Sequence, residues 1–254
     1  MAMLNYQQSG EGESLVLIHG LFGSLDNLNM VAKTLNQFYC VTNVDVRNHG
    51  FSFHENNMEY SALAQDIIDT LDHLNIDTTH ILGHSMGGKI AMQVALDFPQ
   101  RVNKLIVADI SPVQYPQHHN QIIAGLQSID LSIVTNRKQA DEQLAHYVEE
   151  VGVRQFLLRN LHKVNDKFSF KCNLAFIAQC YPQIIKGYQQ SKTFLNSTLF
   201  IKGGNSNYIT PEHRNVISQL FPHSKAKIIQ GAGHWLHAEK TVAFNNTIKA
   251  FLSQ

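Results

Sequence analysis

Ser85 and His234 are the residues whose types and surroundings point most directly to chemistry. Ser85 stands in Gly83-His84-Ser85-Met86-Gly87, between the apolar run Thr79-His80-Ile81-Leu82 and the helically spaced Gly88-Lys89-Ile90-Ala91-Met92-Gln93-Val94-Ala95-Leu96. A G-x-S-x-G between a strand and a helix forms a nucleophile elbow, with the serine at the tip of a sharp turn over the C-terminal edge of a sheet. Gly83 and Gly87 are required there because a Cβ would collide with the neighbouring strand and helix backbones. The competing reading is an ordinary glycine-rich turn, and the flanking pattern favours the elbow.

A serine hydroxyl is a weak nucleophile until a base takes its proton. Gly231-Ala232-Gly233-His234-Trp235 lies between the last strand and the last helix of the chain, which predicts His234 at the same sheet edge as Ser85. The third partner should be a carboxylate that orients the imidazole and stabilises its charged form. The loop after Leu199-Phe200-Ile201 reads Lys202-Gly203-Gly204-Asn205-Ser206-Asn207-Tyr208 and contains no acid. The carboxylate is therefore expected one strand earlier, at Asp109 in Ala108-Asp109-Ile110-Ser111-Pro112, with Glu212 as the second candidate.

An oxyanion needs backbone donors where its charge develops. One is expected from Met86, directly after the nucleophile. The other should come from His19-Gly20-Leu21-Phe22-Gly23, with Leu21 preferred over Phe22 and His19 structural. The loop Asp45-Val46-Arg47-Asn48-His49-Gly50-Phe51-Ser52 should buttress this edge, with Asp45 and Arg47 available as an ion pair. Phe22, Tyr115, His119, Tyr208 and Trp235 are the candidate substrate contacts.

The 254 residues are 44% hydrophobic and 16% charged, with a formal net charge of zero. That balance gives no electrostatic reason to seek nucleic acid or an anionic membrane. The three cysteines, Cys40, Cys172 and Cys180, contain no C-x-x-C pair and read as reduced core residues. No apolar stretch approaches the ~20 residues of a membrane span, and Met1-Ala2-Met3-Leu4-Asn5-Tyr6 shows no signal-peptide pattern. The expectation is a cytoplasmic protein, monomer or dimer. Fourteen histidines include no H-E-x-x-H, and His118-His119 are adjacent, so no metal site is expected.

From residue 14 short apolar runs alternate with amphipathic helices, which predicts a mostly parallel sheet with helices on both faces. Predicted strands are 14–18, 39–44, 79–82, 104–108, 197–201 and 225–230. Helices are predicted after a cap at Asp26, from Ser61, after Ser85, from Pro211 and from Thr241. Residues 113–195 break the rhythm with helix-like segments at 118–129, 137–148, 152–162 and 174–188 and no convincing strand. They read as a helical cap inserted into a core of residues 1–112 and 196–254. Phe156, Leu157, Leu158, Phe170 and Phe176 are candidates for the acyl-pocket wall, although cap core is the simpler role. Arg137, Lys138, Arg154, Arg159, Lys163, Lys167 and Lys171 could steer a phosphate, but interspersed acids favour a solvated face.

Five motifs occur in order: His-Gly-Leu-Phe-Gly-Ser-Leu-Asp-Asn at 19–27, Asp-Val-Arg-Asn-His-Gly at 45–50, Gly-His-Ser-Met-Gly-Gly at 83–88, Ala-Asp-Ile-Ser-Pro-Val at 108–113 and Gly-Ala-Gly-His-Trp at 231–235. Over essentially its full length the chain resembles the α/β-hydrolases, and among them the small bacterial esterases of the YbfF type. Asn48-His49 and the acid-free Gly-Gly-Asn-Ser loop belong to that closer likeness. The resemblance implies hydrolysis of short acyl esters and acyl-CoA thioesters without a cofactor. The short N-terminus leaves room for one strand before residue 14, suggesting a seven-stranded sheet. C–C bond or lactone hydrolysis and cofactor-free peroxidation on the same machinery are the alternative activities, and a non-catalytic binding protein is a further one. Haloalkane dehalogenase and epoxide hydrolase chemistry are disfavoured, because Ser85 stands where they carry an Asp.

Overall fold

A computed structural model describes residues 3–165, 167–188 and 192–254. Seven strands form one sheet: β1 (Tyr6–Ser9), β2 (Ser14–Ile18), β3 (Cys40–Val44), β4 (Thr79–His84), β5 (Val102–Ala108), β8 (Thr198–Gly203) and β9 (Ser224–Ile229). Their order is β1-β3-β2-β4-β5-β8-β9. Only β1 runs antiparallel to its neighbour, with Tyr6 opposite Val44 and Ser9 opposite Val41.

Period-two alternation sends each central strand's side chains to two separate cores. Leu15, Leu17, Leu82, Ile106, Leu199 and Ile201 face α1 (Asn29–Leu35) and α10 (Thr241–Leu252). Val16, Ile18, Ile81, Leu105, Val107 and Phe200 face α2 (Tyr60–His73), α3 (Met86–Asp97) and the end of α8 (Arg214–Leu220). The central strands are therefore buried on both sides, which is why they appear in the sequence as unbroken apolar runs. All of the crossovers return the chain so that the ends of β2, β4, β5 and β8 gather loops at one edge. After β9 a loop of residues 230–235 leads into the short α9 (Leu236–Glu239).

Between β5 and β8 the chain leaves the sheet and forms α4 (Asn120–Ser128), α5 (Arg137–Leu144), α6 (Val151–Leu157) and α7 (Leu174–Ile184). It also forms an antiparallel pair, β6 (Leu161–Val164) with β7 (Lys167–Phe170), where only helix-like segments were expected. Each strand has four residues, and beyond Leu161 all are exposed or only half-buried, so neither carries a buried apolar run. Its signal is only the alternation Lys-Phe-Ser-Phe, too short to stand out. The expected helix 152–162 accordingly stops at Leu157, passes through one 3₁₀ turn at Leu158–Asn160 and becomes β6. The helix expected over 137–148 ends at Leu144.

Asp26 does not cap a helix as expected. A 3₁₀ turn begins at Leu25, with the Ser24 amide donating to Asn27 Oδ1 at 2.7 Å, and Asp26 instead accepts from Asn29 Nδ2. Among the described residues no helix is long and apolar enough to cross a membrane.

Candidate active site

Ser85 occupies the bend between β4 and α3 with φ +54° and ψ −120°, a conformation that L-residues rarely adopt. Its amide donates to the Ala108 carbonyl at 2.9 Å, tying the bend to β5. A Cβ on Gly83 would run into the Gly87 carbonyl, and one on Gly87 would run into the Ile18 carbonyl. Those obstacles are backbone, which cannot rotate away. Gly83→Ala should therefore destabilise the protein by about 3 kcal/mol, at the upper end of typical overpacking costs. A lowered urea midpoint with unchanged slope would register it.

His234 projects from the loop after β9 and meets Ser85 Oγ through Nε2 at 3.0 Å. Its Nδ1–H donates to Asp109 Oδ2 at 2.7 Å. Asp109, fully buried at the end of β5, also has a positive φ of 53°. Its amide donates to Ile201, and its Oδ1 accepts the Gly203 amide at 2.9 Å. Ser206 Oγ–H donates to Asp109 Oδ2, the oxygen that also holds His234. The serine from the acid-free loop thus supports the acid from the neighbouring strand. Glu212 lies on an exposed 3₁₀ turn, Pro211–His213, and the carboxylate on His234 is Asp109.

Other histidines surround His234 in a neutral state. His84 Nε2–H donates to the His234 carbonyl at 2.8 Å, and burial holds its pKa well below the usual histidine value. Burial likewise lowers His237 and His119 to about 4 and, away from His234 and beside His19, His49 to about 3. The Tyr208 ring stacks on His234 with centroids 3.9 Å apart. The Tyr208 carbonyl is held in turn by the hydroxyls of Tyr115 and Ser111.

The His19–Gly23 turn brings Leu21 beside Ser85 and Met86 in one cavity. The Phe22 amide donates to His49 Nε2 at 3.1 Å, and the Phe22 carbonyl accepts from Asn160 Nδ2 at 2.6 Å. Phe22 is thereby committed to the scaffold. Among the described residues no protein acceptor engages the Leu21 or Met86 amide. His19 is structural: Nδ1–H donates to the Gly20 carbonyl, and Nε2 accepts the Val46 amide. The expected pairing of Asp45 with Arg47 does not form. Arg47 makes a forked contact with Asp66 at 2.6 Å, while Asp45 accepts the Leu25 and Phe51 amides. Both Asp45 oxygens are taken up by Leu25, Phe51 and Asn5, and α2 offers Arg47 the acid Asp66 instead.

The cavity holding Ser85 is about 40 Å³, walled by Tyr60, Lys89, Ile110, Tyr115, Pro116, His118, His119, Tyr181, Ile184, Ile185 and Tyr208. Tyr115, His119 and Tyr208 therefore face the site. Phe22 and Trp235 do not line it: Phe22 is buried, and Trp235 contacts Phe156 with ring centroids 5.4 Å apart. Leu157 and Leu158 are core, and the segment's aromatic residues Phe156, Phe170 and Phe176 stand outside the cavity lining. Arg154 is paired with Asp141 and Arg137 donates to the Leu161 carbonyl, as befits structural cations.

Comparison with known proteins finds that the family model for the alpha/beta hydrolase fold matches residues 13–241. The chain belongs to the α/β-hydrolase fold family. This hydrolase is 39% identical to esterase YbfF of Escherichia coli strain K12 over 248 residues, covering 97% of this chain and 96% of that one. It is 40% identical over 248 residues to the sn-1-specific diacylglycerol lipase ABHD11 of Mus musculus, covering 94% of this chain and 81% of the relative. A solved structure described as a marine microorganism esterase is 38% identical with a TM-score of 0.96, covering 99% of this chain and 100% of that one.

Sequence reasoning did not assign roles to Ser206, His84, Tyr60, Tyr181 or Lys89 of this hydrolase. Ser206 had a signal in the loop that lacks an acid: a short hydroxyl there can still reach an acid from the next strand. Lys89 had one too, a charged residue at an otherwise apolar helix position four residues after Ser85.

Proposed function

We propose that this protein is a serine esterase and thioesterase, hydrolysing short- to medium-chain acyl esters and acyl-CoA through an acyl-enzyme. The observation that carries this reading is the line of hydrogen bonds from Ser85 through His234 to Asp109 at a small, mostly apolar cavity. His234 Nε2 takes the Ser85 proton as Oγ attacks the acyl carbonyl carbon. The Leu21 and Met86 amides receive the oxyanion, and Asp109 stabilises the imidazolium that forms. His234 then returns the proton to the departing alcohol or thiol. Water repeats the sequence on the acyl-enzyme, releasing the acid and freeing Ser85.

The acyl group occupies the cavity between Leu21, Tyr115, His119 and Ile184. The leaving group lies in the groove on the other side of His234, lined by His118, Asn205, Asn207 and Tyr208. Residues 113–195 act as a cap over the edge of a core formed by 1–112 and 196–254. The enzyme works without a cofactor or metal in the cytoplasm, as a monomer or dimer. Trp235 packs on Phe156 rather than contacting substrate.

A panel of aryl esters, acyl-CoAs, a detergent-dispersed diacylglycerol and emulsified long-chain triglyceride tests the reading. Soluble short esters should turn over faster than the triglyceride by at least about tenfold, because one water-sized group needs about 10–15 Å³ of the 40 Å³ cavity. Faster triglyceride turnover would overturn the enclosed-pocket picture. Inertness toward every ester and thioester would favour C–C hydrolysis or a binding role.

A further inference from the structure

Lys89 is 1% exposed, yet among the described residues no carboxylate pairs with it. It lies four residues after Ser85, on α3. Its Nζ donates to the carbonyls of Val113 at 2.8 Å and Lys186 at 2.5 Å, with Ile185 more distant at 3.4 Å. Val113 belongs to the connection leaving β5, and Ile185 and Lys186 to the connection returning from α7. The same two connections bond to each other, Tyr115 N to Ile185 O at 2.9 Å and Tyr188 N to Pro112 O at 3.4 Å. The Tyr188 hydroxyl donates back to the Lys89 carbonyl. Tyr60 and Tyr115 wall Nζ from water, their ring centroids 5.5 and 5.0 Å away.

These connections also form the acyl-side wall of the cavity, through Tyr115, Pro116 and Ile185 beside Ile184 at the end of α7. An acyl chain that extends from Ser85 toward these residues meets that wall, and it can advance further in that direction only by moving the wall outward. The wall can move only if its carbonyls leave the Lys89 amine. We propose that Lys89 is a positioning residue that pins both connections of the 113–195 segment to the helix of Ser85 and thereby limits the acyl length the site accepts. This rests on the esterase reading above.

Burial lowers the Lys89 amine to about 7. A neutral amine has two N–H donors, matching the two short carbonyl contacts. Released to water, the amine would return toward ~10.4, so release takes up a proton between those two values. Release therefore becomes easier as pH falls from about 10 to 7, and levels off below 7. The groups facing Nζ are Tyr60 from α2, Tyr115 from the outgoing connection and Tyr188 from the returning one. All three stay neutral in this window, because burial raises Tyr115 to about 12 and the other two well above their usual value.

The test is the ratio of kcat/KM for p-nitrophenyl octanoate to that for p-nitrophenyl acetate. In Lys89→Met the ratio should rise about tenfold, the weight of roughly one lost hydrogen bond. Lys89→Gln, which keeps two N–H donors, should fall between Met and wild type. In wild type the ratio should rise as pH falls from 9 to 7 and then flatten, while in Lys89→Met it should be level throughout. The step shared by both esters cancels in the ratio, so titration of the Ser85–His234 pair does not produce this pattern. An unchanged ratio in an active Lys89→Met overturns the proposal. Should both variants fail to fold, the wild-type ratio decides alone: a rise toward pH 7 supports the pin, and a flat profile from 9 to 6.5 overturns it. Wild type inert toward both esters would instead overturn the esterase reading, and the pin with it.

Discussion

Ser85→Ala should reduce ester turnover by about 10⁶-fold, the scale seen when the nucleophile of a serine hydrolase is removed. The expected size follows from covalent catalysis, since without Oγ no acyl-enzyme forms and His234 has no proton to accept. Folding should be preserved. The variant removes one oxygen from a bend already held by the Ser85 amide on Ala108 and by the close approach of Gly83 to Gly87. Alanine can also relax the positive φ no better than serine, so the backbone strain is unchanged. A fluorophosphonate probe should label wild type at Ser85 and leave the variant unlabelled, as read by mass spectrometry. An active, folded wild type that resists the probe would contradict a serine mechanism.

Asp109→Asn should cost up to about 10⁴-fold in kcat, the loss recorded when the orienting acid of a Ser-His-Asp triad becomes an amide. The carboxylate accepts three donors: the Gly203 amide, Ser206 Oγ–H and His234 Nδ1–H. An asparagine can keep the Gly203 bond with its oxygen, and its NH₂ can then donate to Ser206 Oγ. The same NH₂ faces His234 Nδ1 and imposes the tautomer with a proton on Nε2. That proton points at Ser85 and blocks its activation. The fold survives because each polar group still has a partner, so circular dichroism and thermal unfolding should change far less than turnover. Glu212→Gln, on an exposed turn, should stay within about twofold of wild type, as surface substitutions usually do. Near wild-type turnover in Asp109→Asn would refute its role.

Much of this arrangement was legible because parallel strands and the elbow write themselves locally. β2, β4, β5 and β8 are buried on both faces, so each is an apolar run bounded by turn residues. The elbow needs two glycines at fixed spacing, whatever the rest of the chain does. The acid-free stretch between Asp166 and Glu212 points to Asp109 on the neighbouring strand, and the structure puts that carboxylate on His234. The β6–β7 pair was illegible for the opposite reason. Its four-residue strands carry no two-sided burial, so no apolar run marks either of them.

The amino-acid sequence by itself determined the sheet, its helices, the order Ser85, Asp109, His234 and the edge at which they meet, because each depends on short-range periodicity or on chain order. Only the tertiary structure decided which partners those residues take. Asp66 rather than Asp45 pairs with Arg47, His49 draws the Phe22 amide away from the cavity, and Ser206 shares the Asp109 oxygen with His234. It also decided that Lys89, from the first turn of a buried helix, ends among carbonyls from residues 113, 185 and 186. Contacts across such separations follow from how sheet, helices and inserted segment pack together, and side-chain hydrogen bonds are chosen only after that packing exists. No local pattern encodes them, because the donors and acceptors are common residues whose meeting depends on the whole fold.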